Sequence, residues 1–389
     1  MNELRSDSVR RRRKLKKEAK VGLVVVTLVI IFVFWAIHHI FESKKPSAHM
    51  PTSHAVSKRV PKEISIVKKT SDMHQDVSND AAIDRYLNHL HFNGTALVIK
   101  NNKVIIDKGY GAANFANNIQ NSANTVYYIA SISKIFVSTS IMQLQEKGLL
   151  NINDPVSKYI PDFPYGNQIK LYHLLTHTSG IPEHSETAKS ISHDELMKKI
   201  EKGHLRFAPG TGWLYSDSNY AILAYILEKV THSTLQSYVQ QHIFSPLKMY
   251  HSGFGDAFNE EPQPSTGYKL KHHKLVIPTL PDMSQLFGCG DIYTTAYDMY
   301  LFDKGLYNGK LLSSNSLTKI FTPVRHDYGF GMYHNPGSYS DHGVLPGWNT
   351  LNSFNLTGNK FVILFTNVQN KIKSLGVVDN HIYGLLRNK

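Results

Sequence analysis

The sequence of 389 residues is poor in cysteine: Cys289 is the only one, so no disulfide can form within the chain. A folded domain of about 300 residues has enough apolar content to be stable without one. His-Glu-x-x-His motifs and cysteine pairs with zinc-ligand spacing are also absent. Gly-x-Ser-x-Gly and Gly-x4-Gly-Lys-Ser/Thr do not occur, which disfavours an α/β-hydrolase and a phosphate-binding loop. We therefore expect no metal and no organic cofactor.

Charge is unevenly distributed along the chain. The formal net charge is +13, and residues 1–20 contain nine Lys or Arg but only three Asp or Glu. The basic excess therefore belongs partly to an N-terminal tail. This distribution is a weak argument for nucleic acid, which we do not expect as a partner.

A long apolar run follows the basic tail. Residues 21–37 contain no charge and are nearly all large and apolar, which is the lower limit of length for a membrane-spanning helix. The alternatives are a buried core helix, which is rarely so uniformly apolar beside a basic run, and a cleaved signal peptide, for which no small-x-small site follows. We predict a cytoplasmic tail (1–20), a transmembrane signal anchor (21–40) and an extracytoplasmic linker (41–80) rich in Pro, Ser, Lys and His. The protein is then a single-pass cell-membrane protein whose C-terminal domain lies outside.

Residues 81–389 read as one folded domain of mixed α/β type. Two hairpins are predicted, one turning at residues 101–103 and one at residues 357–359. Between them the pattern predicts mostly helix and loop, with helices at 131–147 and 219–230, and a closing helix at about 371–387. Hairpins at both ends indicate one antiparallel sheet built from both termini, with helices packed on it.

Ser-x-x-Lys occurs four times, beginning at Ser65, Ser131, Ser245 and Ser316, so most occurrences are accidental. Ser65 falls in the predicted linker, Ser245 precedes a proline at a helix end, and Ser316 reads as a helix N-cap. Only Ser131 opens an apolar helix that continues past its lysine. On such a helix, residues i and i+3 share a face, so the hydroxyl and the amine can meet.

Two interpretations of Ser131 and Lys134 remain open at this point. A helix N-terminus favours developing negative charge at the serine, and desolvation would lower the pKa of Lys134 toward that of a useful base. The alternative is an N-cap serine with a lysine that extends its amine to solvent.

Further segments decide between them: IASISKIF (129–136), LLNINDPVSKYIPDF (149–163), LYHLLTHTSGIP (171–182), PGTGWLYSDSNYAILAYILEKVT (209–231) and DHGVLPGW (341–348). In this order they resemble the serine β-lactamase and penicillin-binding-protein superfamily, most closely its class C and esterase-like branch, over residues 81–389. With the tail and apolar run, the chain resembles membrane-anchored penicillin-binding proteins and, more loosely, teichoic-acid esterases. The resemblance implies a β-lactamase/DD-peptidase-like fold, an all-helical subregion carrying the Ser-x-x-Lys helix, and an acyl-enzyme mechanism.

The resemblance also assigns roles to residues. Ser131 would be the nucleophile and Lys134 its general base, while the phenol of Tyr215 would pass a proton to the leaving group. The backbone N–H groups of Ser131 and Val344 would form the oxyanion hole. His177 is interpreted as a packing or hydrogen-bonding residue beneath the site.

Two positions depart from the family pattern. Asp217 stands where the family's Tyr-x-Asn motif has an amide, and an ionised carboxylate can only accept hydrogen bonds. Asp341-His342-Gly343 stands in place of Lys-Thr-Gly or His-x-Gly. A register shifted by one would put His342 first, but Val344 would then replace the glycine.

Both aspartates would add negative charge where a carboxylate substrate lies, unless they point away and are solvated. Asp217 could also pair with Lys134 and raise the pKa of that amine. We therefore expect D-Ala-D-Ala and penicillins to be poor ligands, and a cationic D-alanyl ester of a cell-wall polymer to fit better. The alternatives are a weak D-alanyl-D-alanine carboxypeptidase or β-lactamase, and a catalytically weak wall-binding or sensor protein.

Overall fold

The computed structural model describes residues 73–387. The predicted cytoplasmic tail, the predicted anchor and the predicted linker up to residue 72 lie outside the described residues. Among residues 73–387, no helix combines the length and the apolar character that crossing a bilayer requires.

The centre of the fold is a seven-stranded antiparallel sheet in the order β1-β3-β2-β14-β13-β12-β11. Its strands are β1 (Val77–Ser78), β2 (Gly94–Lys100), β3 (Lys103–Tyr110), β11 (Tyr333–Asn335), β12 (Ser338–Leu345), β13 (Trp348–Asn355) and β14 (Lys360–Thr366). The first and last parts of the described chain meet where β2 pairs with β14. This arrangement confirms the predicted sheet built from both ends of the domain.

Turn chemistry explains both predicted hairpins. Asn101 and Asn102 join β2 to β3 with φ angles of 50° and 61°, a left-handed pair that asparagine tolerates well. Between β13 and β14, Gly358 has a φ of 62°, and a Cβ there would lie 2.1 Å from the Tyr307 ring. Glycine is therefore required at the second turn both for its backbone and for space.

Three smaller sheets surround the central one. β4 (Ala112–Asn114) pairs with β5 (Ile119–Gln120), β10 (Ile292–Thr294) lies between β6 (Tyr127–Tyr128) and β7 (Gly253–Phe254), and β8 (Tyr268–Lys271) lies between β9 (Lys274–Val276) and β15 (Val368–Gln369). We call the last of these, β15-β8-β9, the basic sheet.

The helices come mostly from the middle of the chain. They are α1 (Ala81–His89), α2 (Ser133–Glu146), α3 (Leu171–Leu175), α4 (His193–Ile200), α5 (Asp217–Thr231), α6 (Leu235–Val239), α7 (Ser245–Leu247), α8 (Ala296–Tyr307), α9 (Ser314–Phe321) and α10 (Leu375–Arg387). The predicted helices at 131–147, 219–230 and 371–387 correspond to α2, α5 and α10, with boundaries that differ by a few residues. The end of the predicted linker already belongs to the fold: β1 pairs with β3, and Asp80 caps α1.

The two faces of the central sheet pack against different partners, because successive side chains of a strand point to opposite faces. Val362 and Leu364 of β14 face a cluster that α1 and α10 cover, which we call the back cluster. Phe361, Ile363 and Phe365 face the larger front cluster, formed with α2, α5 and α8. Ser131 and Lys134 belong to the front side.

Candidate active site

Ser131 does not open the helix itself. It lies in a single 3₁₀ turn, Ala130–Ile132, directly before α2. Ala130 has a φ of 48°, a left-handed conformation that costs about 1–2 kcal/mol for a residue with a Cβ. Strand β12 approaches this turn so closely that a Cβ on Gly343 would lie 2.0 Å from the Ile129 carbonyl oxygen. Gly343 therefore lets the sheet edge reach the nucleophile's turn.

The other Ser-x-x-Lys pairs build no such site. Ser245 lies in the short helix α7. Ser316 lies inside α9, whose N-cap is Ser313, so the predicted capping role of Ser316 is wrong by one helical turn. Ser65 lies outside the described residues.

The ammonium group of Lys134 contacts three neighbouring groups. Its Nζ donates to Ser131 Oγ at 2.9 Å and to the Cys289 carbonyl oxygen at 3.0 Å, and it lies 2.6 Å from Asp217 Oδ1. The side chain is 1% exposed. The sequence prediction that the serine and the lysine meet is confirmed, and the predicted ion pair with Asp217 is present.

The ionisation of Lys134 follows from two opposing effects. Burial lowers the pKa of Lys134, but the negative charge of Asp217, together with Tyr215 and Cys289, outweighs it and raises this pKa well above its ordinary value. Lys134 is therefore an ammonium at neutral pH and donates to Ser131 in the resting site. The desolvation expected from the sequence is present, but the neighbouring charge of Asp217 has the larger net effect on the pKa of Lys134.

Tyr215 lies over the same lysine. Its ring centre is 4.9 Å from Lys134 Nζ, and the phenol lies close enough to Lys134 and Ser131 for both to lower its pKa. Burial raises the pKa of Tyr215, and the nearby ammonium opposes this effect only in part. The phenol is therefore neutral and can donate a proton.

His177 positions the segment that carries Tyr215. The Ser216 N–H donates to His177 Nδ1 at 3.2 Å, and the Asn219 side-chain amide lies 3.0 Å from the same nitrogen. The His177 and Tyr215 rings are 4.3 Å apart. Burial lowers the pKa of His177 well below its ordinary value, and the Lys134 charge adds to this. The neutral imidazole thus accepts hydrogen bonds beneath the site, in agreement with its predicted role.

Two carboxylates near Asp217 were not recognised from the sequence. Glu183 Oε2 accepts a hydrogen bond from the Asp217 N–H at 2.8 Å. Carboxylate oxygens of Glu183, Glu186 and Asp217 lie within 4.8 Å of one another, and in residues 73–387 this is the only such group that could share a metal ion. Burial, and then the charge of Asp217, raise the pKa of Glu183 to about 7, and the pKa of Glu186 is raised for the same reasons. We call these three residues the acidic cluster.

The Asp341 element is arranged differently from the expectation. Along β12, Asp341 and Gly343 are buried, whereas His342 and Val344 are exposed, and His342 Nε2 lies 2.6 Å from Asn349 Oδ1. Burial, and then the charge of Asp303, raise the pKa of Asp341 well above its ordinary value. Asp341 therefore does not present the exposed negative charge that the sequence had led us to expect, because it faces the interior and burial favours its neutral form.

The edge of β12 beside the nucleophile has no strand partner in the described part of the chain. β11 pairs only with Ser338, Tyr339 and Ser340, so the following residues run along the Ala130–Ile132 turn instead. The backbone of Val344 belongs to this edge. Its predicted part in an oxyanion hole stays a prediction that this geometry supports.

Known proteins resemble the chain over most of its length. A family model described as Beta-lactamase matches residues 79–382. The chain is 43% identical over 387 residues to PbpX of Bacillus subtilis (strain 168), named as a penicillin-binding protein, with 99% of this chain and 98% of PbpX covered. It is 32% identical over 315 residues to the teichoic acid D-alanine hydrolase of Staphylococcus aureus (strain MRSA252), with 79% and 78% covered. The crystal structure of FmtA from Staphylococcus aureus matches with a TM-score of 0.74 and 28% identity, over 82% of this chain and 94% of that one.

Proposed function

Because the chain belongs to the β-lactamase and penicillin-binding-protein superfamily and is a serine hydrolase of it, we propose that it hydrolyses D-alanyl esters of a cell-wall polymer through an acyl-Ser131 intermediate. The observation that carries the proposal is the acidic cluster beside the Lys134 ammonium. The protein acts outside the cell, held to the membrane by the apolar segment 21–40, as the sequence pattern predicts.

The chemistry needs a neutral Lys134. Ser131 Oγ attacks the ester carbonyl as Lys134 takes its proton, and the N–H groups of Ser131 and Val344 hold the oxyanion. Tyr215 donates a proton to the leaving ester oxygen, so the polymer departs as an alcohol, and Lys134 returns the serine proton to Tyr215. Water then hydrolyses the acyl-enzyme and releases D-alanine. In the free protein Asp217 keeps Lys134 protonated, so the rate with a neutral substrate is expected to rise with pH.

A cationic acyl group is expected to favour the neutral form of Lys134 that the reaction needs. The α-ammonium of a D-alanyl ester, drawn to Glu183 and Glu186, shares the charge of Asp217 with Lys134, so the pKa of Lys134 falls. Two unit charges about 4 Å apart interact by about 4 kcal/mol near a protein surface, which is enough to set a substrate preference. A penicillin or a D-Ala-D-Ala peptide brings no ammonium to this cluster, so the pKa of Lys134 stays raised and acylation is expected to be slow. The name of the teichoic acid D-alanine hydrolase relative supports the same substrate class.

Two alternatives have support of their own. A weak D-alanyl-D-alanine carboxypeptidase or β-lactamase agrees with the likeness to PbpX. A catalytically weak wall-binding or sensor protein agrees with the raised pKa of Lys134. Retention of Ser131, Lys134 and Tyr215 in mutual contact argues against this second alternative.

The first test is the intact mass of the full-length protein after reaction with a fluorophosphonate serine probe. Wild type is expected to gain one adduct and Ser131→Ala none. Ser133→Ala is the matched control, since Ser133 Oγ accepts a hydrogen bond from the Ile292 N–H and faces away from the reaction. Absence of an adduct on folded wild type would favour the wall-binding or sensor function.

The second test concerns the ammonium. Glu183→Gln is expected to raise KM for a D-alanyl ester about tenfold, the effect of losing one charge interaction of about 1.4 kcal/mol, and to leave an N-acetyl-D-alanyl ester unaffected. Because the pKa of Glu183 is about 7, wild-type affinity for the ammonium ester should improve as pH rises through 7, and the variant should show a weaker dependence, left to Glu186. Equal effects on both esters would contradict the assignment.

A further inference from the structure

Two neighbouring hairpins carry half of the exposed large apolar side chains found in residues 73–387, five of ten. The five are Phe115 (41% exposed) and Ile119 (50%) on β4–β5, and Leu275 (39%), Val276 (36%) and Ile277 (68%) on or directly after β9. The Phe115 ring packs edge-on against Tyr268 of β8, with ring centres 5.0 Å apart. The two hairpins therefore form one surface, which we call the hairpin surface.

The register of β8 and β9 separates charged from apolar side chains. The three lysines of this hairpin share one face, on which Lys271 lies opposite Lys274. Leu270 lies opposite Leu275 on the other face, which is also the face of Tyr268 because side chains alternate along a strand. The β8–β9 hairpin is therefore an amphipathic ribbon, with the same division of lysine and apolar faces as a helix that lies in a membrane interface.

Negative charge is absent from the segments that form the hairpin surface. Residues 108–145 and 262–281 contain no Asp or Glu. Within residues 73–387, no ion pair involves Lys269, Lys271 or Lys274. Asp256 and Asp282 line a cleft together with Ile277 and mark the border of the surface on that side. The field of the hairpin lysines is therefore not neutralised within the surface, and it attracts anions.

The hairpin surface is accessible along both of its hairpins. Every residue from 115 to 120 and from 271 to 277 is exposed, and β9 is an outer strand. Lysines on an edge strand discourage pairing with a second strand, whereas exposed apolar patches mark interaction sites. Apolar side chains beside unpaired lysines match the chemistry of an anionic lipid headgroup layer over its acyl chains.

The described chain begins close to the β4–β5 hairpin. The His74 N–H donates to Asn124 Oδ1 at 2.7 Å, and the Asn124 side-chain amide donates to the His74 carbonyl oxygen at 2.7 Å. Asn124 follows the end of β5 by four residues. The predicted anchor ends at residue 40, so residues 41–72 connect it to this point, over at most about 110 Å when fully extended. The hairpin surface therefore lies near the place where the chain from the predicted anchor enters the fold.

We propose that the hairpin surface docks the domain on an anionic lipid bilayer. The apolar side chains enter the boundary between headgroups and acyl chains, and the lysines contact the lipid phosphates. Docking limits Ser131 to substrates that lie close to the membrane, rather than anywhere within the reach of residues 41–72. This assignment does not depend on the esterase function.

The test uses the full-length chain, held by its apolar segment in a phosphatidylcholine nanodisc, and measures co-sedimentation with added phosphatidylglycerol vesicles. Lys271→Gln/Lys274→Gln is expected to weaken vesicle binding about 30-fold, from about fivefold for each lysine near an anionic surface. The matched control is Lys103→Gln/Lys310→Gln, which removes the same charge from exposed lysines elsewhere. The control is expected to bind like wild type.

A second pair of variants tests the apolar contribution. Phe115→Ser/Leu275→Ser is expected to weaken vesicle binding about tenfold, because both side chains lose apolar area that enters the bilayer. Leu149→Ser/Leu356→Ser changes side chains that are 52% and 40% exposed elsewhere, and it is expected to bind like wild type. Fluorophosphonate labelling at the wild-type rate establishes that each of the four variants is folded.

Several outcomes would overturn the proposal. Equal weakening by both lysine variants would mean that net charge alone acts, and equally tight binding to phosphatidylcholine vesicles would exclude a role for the lysines. Binding to soluble polyphosphate that is as tight as binding to vesicles, and that Phe115→Ser/Leu275→Ser leaves unchanged, would assign the surface to a polyanion. Self-association that the same variant abolishes would assign it to a second copy of the chain. Because no substrate takes part, failure here and failure of the esterase proposal are distinguishable.

Discussion

The two faces of the central sheet differ in what they bury. The back cluster is almost entirely apolar, and its main buried carboxyl is Asp379, which accepts a hydrogen bond from Ser353. The front side buries Lys134, His177, Asp303 and Asp341 within or beside a larger apolar cluster. Buried ionisable groups cost stability unless they are paired. The back face thus stabilises the fold with few buried ionisable groups. The front face buries several of them, at a cost in folding free energy, on the side that carries Ser131 and Lys134.

The largest effect should come from truncating the apolar side chains of each face. Leu364 in the back cluster and Ile135 beside Lys134 are both fully buried. Leu364→Ala and Ile135→Ala should therefore each lower the free energy of unfolding by about 2–5 kcal/mol. Only Ile135→Ala should also slow acylation of the folded protein, because α2 carries the lysine. Chemical denaturation and fluorophosphonate labelling rates measure the two effects. Equal slowing by both variants would mean that the faces are not functionally distinct.

A smaller effect is expected from Asp217→Asn. Removing the carboxylate lowers the pKa of Lys134, so more of the lysine is neutral at pH 7 and the rising limb of the pH–rate profile moves to lower pH. Penicillin acylation should increase about tenfold, which corresponds to one pKa unit, while KM for a D-alanyl ester should rise.

Asp194→Asn is a suitable control for this variant, since Asp194 is an exposed partner of Lys229 at 3.9 Å. It should leave both reactions unchanged. Unchanged or slower penicillin acylation in Asp217→Asn would contradict the role assigned to Asp217.

The smallest effect on activity is expected from Asp341→Asn, because burial favours the neutral form of this carboxyl, which an amide resembles in charge. Its folded-state pKa is raised above that of the unfolded chain, so the folded state keeps a proton that the unfolded state releases above about pH 4. Wild-type stability should therefore fall as pH rises from there, and the variant should gain stability relative to wild type by at most about 1.4 kcal/mol per pH unit. Below the unfolded pKa this gain should vanish. A change in penicillin acylation as large as that of Asp217→Asn would mean that Asp341 is charged at the site.

Much of the fold could be predicted from patterns between residues close in sequence. The features that could not be predicted depend on contacts between residues far apart in sequence. The asparagine and glycine turns and the apolar helix after Ser131 depend on neighbours in sequence, so they could be predicted. The 3₁₀ turn at Ser131 lies against β12 through Gly343, a contact between segments that are distant in sequence. The orientation of Asp341 depends on which face of β12 is buried, and the motif alone does not determine this.

Glu183 and Glu186 illustrate the same limit at the site. They occupy a loop without periodicity, and their meeting with Asp217 depends on how that loop folds over the start of α5. Their position directly after the His-Thr-Ser-Gly-Ile-Pro segment was the one available signal.

The pairing of β2 with β14 also determines when the active site can form during synthesis. One strand comes from near the beginning of the described chain and the other from near its end, with every helix from α2 to α9 between them. Contacts between such distant segments form late and slowly. Strand β12, which supports the turn at Ser131, joins this sheet through β13. A growing chain therefore has no complete nucleophile site until its last strands have emerged.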